Sequence, residues 1–202
     1  MHFRGFKKIE NLEPYTACKA LWLDSNGFSA IENLQCLQQL RCLHISKNLI
    51  SKIQGLDTLK DLTILDLSNN RLSHIDNLSC CPSLQTINLS MNDLQTPSSL
   101  KHLALCFKLQ NIDLTNNKLA NDESFFDVLC SIPALRALSC NGNELTRLPH
   151  FRKRCEEFRR DPVITSYYLP DNGLQSVAYF PTLCLSVAFF IPCLLFCSLS
   201  RG

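Results

Sequence analysis

The chain has 202 residues, 46% of them apolar and 19% charged, with a net charge of +2. That balance fits an ordinary folded domain and excludes collagen-like, low-complexity and strongly charged disordered chains. A charge so close to neutral gives no bulk attraction for nucleic acid.

The chain opens with Met1–Leu12, in which His2-Phe3-Arg4-Gly5-Phe6 lacks the apolar core segment of a signal peptide. The tetrad Ile9-Glu10-Asn11-Leu12 returns as Ile31-Glu32-Asn33-Leu34 and as Ile75-Asp76-Asn77-Leu78. It reads as the closing half of a repeat whose first half is missing. Repeat arrays need a polar cap over the first unit, and none is visible. The expectation is an internal start within a longer protein; the alternative is a cap improvised by Phe3 and Phe6.

Six phased units follow. The clearest is Leu62-x-x-Leu65-x-Leu67-x-x-Asn70-x-Leu72-x-x-Ile75-x-x-Leu78. Its asparagine recurs at Asn26, Asn48, Asn70 and Asn92 in steps of 22, then at Asn117 and Asn143 after 25 and 26. This spacing is that of leucine-rich repeats, in which each short strand turns through an asparagine into the next rung. In a strand, alternate side chains face opposite ways. Leu65 and Leu67 are therefore expected inside, with Ile64, Asp66 and Ser68 outside. Asn26, Asn48, Asn70, Asn92, Asn117 and Asn143 are expected to form a buried spine, because an amide side chain can satisfy backbone groups freed by an inward turn. The fold class expected is α/β: a leucine-rich repeat solenoid with its parallel sheet on the concave face and a short helical or irregular convex side.

The longer returns look helical. Ser98–Phe107 begins with serine caps, and Asp122–Cys130 begins with Asp122 as N-cap and acids in the first turn. Phe151–Asp161 is mixed in charge, because Glu156, Glu157 and Asp161 dilute its arginines; it reads as a helix capping the last rung rather than as a basic partner site. These features place a leucine-rich repeat domain at 1–163, with about six rungs, and an atypical tail at 164–202. Within the tail, Val177–Leu199 carries no charge across 23 residues, long enough to cross a bilayer of about 30 Å. A C-terminal membrane anchor is one reading. Against it stand Pro181 and Pro192 and sparse flanking charge; the competing reading is an alternative gene end without a selected role.

Twelve cysteines invite a disulfide or zinc framework. There is no Cys-x-x-Cys, and the five histidines are scattered. Cys18 and Cys140 fall on repeat core positions, where a thiol acts as a small hydrophobe. The expectation is an intracellular, reduced domain with free thiols and no cofactor or metal.

Outward strand positions should carry the function, since the concave face is the usual binding surface of such solenoids. The central column is Trp22, His44, Asp66, Asn88, Asp113 and Ser139. One flank is Ala20, Cys42, Ile64, Thr86, Asn111 and Ala137; the other is Asp24, Ser46, Ser68, Ser90, Thr115 and Asn141. The partner-binding candidates are Trp22, Asp24, His44, Asp66, Asn88 and Asp113. Trp22 is either an interface anchor or packing for a missing rung. His44 beside Asp66 admits a general-base reading. No nucleophile elbow, metal set or glycine-rich phosphate loop accompanies the pair, so the chain reads as a non-enzyme.

The runs GFKKIENLEPYTACKALWLDSNGFSAIENL (5–34), LRCLHISKNLISKIQGLDTL (40–59) and LDLSNN (65–70) resemble the dynein axonemal assembly factor 1 family, leucine-rich repeat proteins of motile cilia. The resemblance covers roughly 3–150. It implies an adaptor for cytoplasmic preassembly of axonemal dynein arms, active in cytoplasm and cilium. The partners it implies are dynein chains, chaperones and other assembly factors, with no nucleic acid and with membrane contact only through 177–199. Two departures stand out. Only Tyr168-Leu169-Pro170-Asp171 matches the family's capping motif, without its basic-Pro-Val part, and the long charged C-terminal region is replaced by the apolar tail. The rung pattern alone also fits a regulatory subunit of a protein phosphatase, or a ribonucleoprotein component, which the lack of a basic patch disfavours.

Overall fold

The computed structural model describes residues 4–147 and 166–168. Seven strands of three residues each form one parallel sheet in chain order. They are β1 (Ala20–Trp22), β2 (Cys42–His44), β3 (Ile64–Asp66), β4 (Thr86–Asn88), β5 (Asn111–Asp113), β6 (Ala137–Ser139) and β7 (Ser166–Tyr168). The register is unslipped: Trp22 pairs with His44, His44 with Asp66, Asp66 with Asn88, Asn88 with Asp113, and Asp113 with Ser139. Each step preserves the alternation, so Leu21, Leu43, Leu65, Ile87, Ile112 and Leu138 stack into one buried column. A second column is Leu23, Ile45, Leu67, Leu89, Leu114 and Cys140. No rung can bury these side chains by itself; stacking the rungs makes the core continuous.

Five of the six phased asparagines, Asn48, Asn70, Asn92, Asn117 and Asn143, are buried in a column. Asn70 is buried, and its Nδ2 donates to the carbonyls of Ile45, Leu67 and Ser68. Its Oδ1 accepts the Ile50 N–H at 3.0 Å. Asn48, Asn92, Asn117 and Asn143 repeat the pattern, so each amide ties its own turn to the previous rung. Asn26 departs from it, being only half-buried. Its Oδ1 accepts from the N–H groups of Arg4 and Phe6, because the opening segment takes the place of a preceding rung. Phe6 also packs against the core.

The residue before each spine asparagine sits in the left-handed region: Ser25, Lys47, Asn69, Met91, Asn116 and Gly142. A second asparagine ladder lies in the recurring tetrads. Asn33 Nδ2 donates to the Ile9 carbonyl at 2.6 Å, and Asn77 Nδ2 donates to the Ile53 carbonyl at 2.8 Å. The intervening rung has Gly55 there, at φ +68° and close against the Ile31 carbonyl.

The return after β4 corrects an expectation. Pro97–Leu105 is a 3₁₀ helix, not a serine-capped α-helix. Its buried Pro97, Leu100 and Leu103 are spaced by three, which suits three residues per turn. The N-cap is Thr96, without a side-chain capping bond, and the Ser99 hydroxyl donates back to the Thr96 carbonyl. The next return contains α1 (Ser124–Cys130), which starts one residue later than the sequence suggested, with Glu123 rather than Asp122 as its N-cap. Asp122 nevertheless serves its start, its Oδ1 accepting the Ser124 N–H.

Among the described residues, Cys36, Cys80, Cys81 and Cys106 carry free thiols. Cys140, Cys81 and Cys106 are buried, whereas Cys18 is half-buried at the margin of the core rather than within it. Burial, then the neighbouring Cys80, pushes the Cys106 thiol up to about 11, and Cys81 is raised by the same causes in the same order. Both are protonated hydrophobes at neutral pH.

The chain divides into two units, Met1–Pro170 and Asp171–Gly202. The expected capping helix at 151–161 and the apolar segment at 177–199 lie outside the described residues. Among those described, no helix is long and apolar enough to cross a membrane.

Candidate functional site

The three-residue strands end before the chain can drift out of register, so the outward side chains stand in straight columns across the sheet. Trp22, His44, Asp66, Asn88 and Asp113 form one continuous row by pairing, and Asp24 lies one outward position further along from Trp22. The structure therefore brings together the residues singled out by pattern, in the order expected.

Trp22 is 47% exposed at the head of the row. Its ring stacks flat on His44, with centroids 5.6 Å apart and planes 5° from parallel. His44 Nδ1 lies 3.7 Å from Asp66 Oδ2, an ion pair when the imidazole is protonated. Burial raises the Asp66 carboxyl. Hydrogen bonds from His44 and from the Ser68 backbone and side chain oppose that, with the attraction of His44 added, and the net position is below the ordinary value of 3.8. Trp22, His44 and Asp66 thus make a stacked, charge-tuned chain across three strands.

The acceptors of the face have a second task that the pattern reading did not assign. Asp66 Oδ1 accepts the Ser68 N–H, Asn88 Oδ1 accepts both N–H and hydroxyl of Ser90, and Asp113 Oδ1 accepts the Thr115 N–H. Asp24 Oδ1 reaches across to the N–H and hydroxyl of Ser46 in the next rung. In Asp66, Asn88 and Asp113 one oxygen thereby closes the strand-end turn, whereas Asp24 ties its own rung to the next. The signal was present as Asp66-x-Ser68, Asn88-x-Ser90 and Asp113-x-Thr115, a spacing at which short polar side chains bond their own backbone. The Trp22–His44 stack was likewise implied by adjacent register and was not drawn from it. Among the described residues, no group of three or more His, Cys, Asp or Glu side chains is placed to hold a metal.

A family model described as leucine-rich repeat matches residues 7–147. The chain belongs to that family. Among curated leucine-rich repeat relatives, dynein axonemal assembly factor 1 of Mus musculus and of Homo sapiens are each 65% identical over 154 residues. That stretch is 76% of this chain but only 24% and 21% of those proteins, so the chain spans about a quarter of the length of the relatives it matches. Leucine-rich repeat-containing protein ODA7 of Chlamydomonas reinhardtii is 42% identical over 59 residues, 29% of this chain and 13% of that protein. Solved structures agree on the fold. Leptospira interrogans leucine-rich repeat protein LIC12759 superposes with a TM-score of 0.61 at 23% identity, covering 79% of this chain and 40% of that one. A chain of the Drosophila melanogaster SNF/U2A′ complex gives 0.53 at 29% identity, covering 70% and 80%.

Proposed function

We propose that this chain is a non-enzymatic adaptor for the assembly of axonemal dynein arms, acting in the cytoplasm and serving the cilium. The observation that carries the reading is the 65% identity to dynein axonemal assembly factor 1 over 154 residues, 76% of this chain. A preformed parallel sheet loses little conformational entropy on docking, so even modest polar contacts yield useful affinity. Its partners on this reading are axonemal dynein chains, chaperones and other assembly factors. The partner-binding residues are Trp22, Asp24, His44, Asp66, Asn88 and Asp113, with Trp22 the anchor. Membrane attachment would fall to the segment at 177–199 alone.

Affinity capture from ciliated cells tests this, with the full chain as bait. Dynein arm chains and chaperones should be recovered with wild type. Trp22→Ala should weaken capture roughly thirtyfold, the usual loss of about 2 kcal/mol for an aromatic anchor, while Thr115→Ala changes it less than about fivefold. Both variants should keep the wild-type circular dichroism spectrum, because both side chains point out of the core. Recovery of a phosphatase catalytic subunit in place of dynein chains would replace this reading with the regulatory-subunit one. Equal capture by Trp22→Ala and wild type would move the partner off the sheet face.

A further inference from the structure

Charge on this molecule is segregated against its own net sign. The chain as a whole is positive, at +2. Yet the three outward columns, which run from Ala20, Trp22 and Asp24 to Ala137, Ser139 and Asn141, carry Asp24, Asp66 and Asp113 and contain neither lysine nor arginine; Lys19, Arg41 and Arg136 lie just before β1, β2 and β6. The acids are not loosely solvated. Each has an oxygen fixed by a backbone N–H, which holds the carboxylate in one orientation. At the end of the row, Trp22 presents a half-exposed indole made rigid by its stack on His44. Tryptophan is the strongest aromatic partner for a guanidinium or ammonium.

The spacing adds a second constraint. Strands of a parallel sheet lie about 4.8 Å apart, so Trp22 to Asp66 and Asp66 to Asp113 are each about 10 Å, two strand steps. A polyproline II chain rises about 3.1 Å per residue with three residues per turn, so three residues cover about 9 Å and bring the side chain back to the same face. Basic residues at every third position would meet Trp22, Asp66 and Asp113 in turn.

We propose that the sheet face receives a basic segment of a partner protein in polyproline II conformation, with arginine or lysine at positions i, i+3 and i+6 lying over Trp22, Asp66 and Asp113. This rests on the adaptor reading and gives its partner a chemistry. The segment crosses the strands along the outward row, its first cation on the indole and the next two on carboxylates already fixed by their turns. Asn88, between the two acids, offers an uncharged amide to the intervening backbone.

The clean test uses an exchange already present in the row. Asn88 closes the same turn as Asp66 and Asp113 with an amide oxygen. Asp66→Asn with Asp113→Asn therefore removes charge while keeping the turns. Three fluorescein-labelled ten-residue peptides serve as probes, measured by anisotropy with the full 202-residue chain. One has arginine at every third position among serines, one has the same composition with the arginines adjacent, and one has glutamate in place of arginine. The spaced arginine peptide should bind at least about fivefold tighter than the clustered one, and the glutamate peptide should not bind. The double variant should weaken the spaced peptide about tenfold and flatten its salt dependence. Equal binding of the spaced and glutamate peptides, or an unchanged affinity in the double variant, overturns the proposal. Capture of dynein arm chains that persists in the double variant also overturns it while leaving the adaptor reading intact. Charge- and spacing-dependent peptide binding without dynein capture supports the proposal and removes the adaptor reading.

Discussion

Asn70 carries four hydrogen bonds on one side chain, three donated and one accepted, and all four partners are backbone groups of its own or the preceding rung. Asn70→Ala leaves those groups in the core with no replacement. A single buried polar group left unsatisfied costs about 1–3 kcal/mol, so the loss should fall at or above the top of that range. Asn26→Ala should cost less, because Asn26 is half-buried and water can reach the backbone groups it serves. Urea denaturation should rank the two variants in that order; equal midpoints would mean that the spine is not what holds the turns. The spine was legible from spacing alone, since only a buried, bifunctional amide needs to recur in phase. What spacing did not convey was the gradation within it. Asn26 differs from its homologues because its upstream neighbour is Arg4–Phe6 rather than a rung, and a periodic pattern says nothing about its own boundary.

At the level of the rung, the tetrads Ile9–Leu12, Ile31–Leu34 and Ile75–Leu78 were visible as repeats, but their asparagines had no assigned work until the Asn33 and Asn77 amides were found on the carbonyls of Ile9 and Ile53. Gly55 takes the equivalent place in the second rung. A methyl group there would sit 2.5 Å from the Ile31 carbonyl oxygen, and φ is already +68°. Gly55→Ala should therefore destabilise by roughly 1–3 kcal/mol, combining the left-handed cost with the overlap. Gly5→Ala is the matched control. It shares the positive φ but has nothing within 4 Å, so it should incur the backbone cost alone. Equal thermal shifts in the two would show that crowding at Ile31 is relieved by a small rung movement. The return at Pro97–Leu105 shows why helix type escaped the sequence reading. Apolar residues three apart satisfy either an α-helix or a 3₁₀ helix, and the choice is made by how far the chain must travel before β5 begins.

Across the whole molecule, stability should be nearly a sum over adjacent rungs, because each strand pairs only with its sequence neighbours. Among the described residues, the buried core runs without interruption from Ile9 to Leu145. The first six strands, their register and the outward columns followed from the recurring asparagine frame, whereas β7 (Ser166–Tyr168) did not, since it falls in the stretch read as tail. The tail was not legible, for a physical reason: an uncharged run such as Val177–Leu199 has no periodic partner from which its surroundings can be inferred. A cut after Pro170 separates the two units. If stacking of rungs supplies the stability, the shortened chain should keep its circular dichroism spectrum and its urea midpoint. It should also become more soluble, because an apolar stretch with no charge across 23 residues has been removed. A shortened chain that unfolds or loses several rungs of protection in hydrogen exchange would make the apolar segment part of the core. In that case the nearest-neighbour account of this solenoid would be wrong at its C-terminal end.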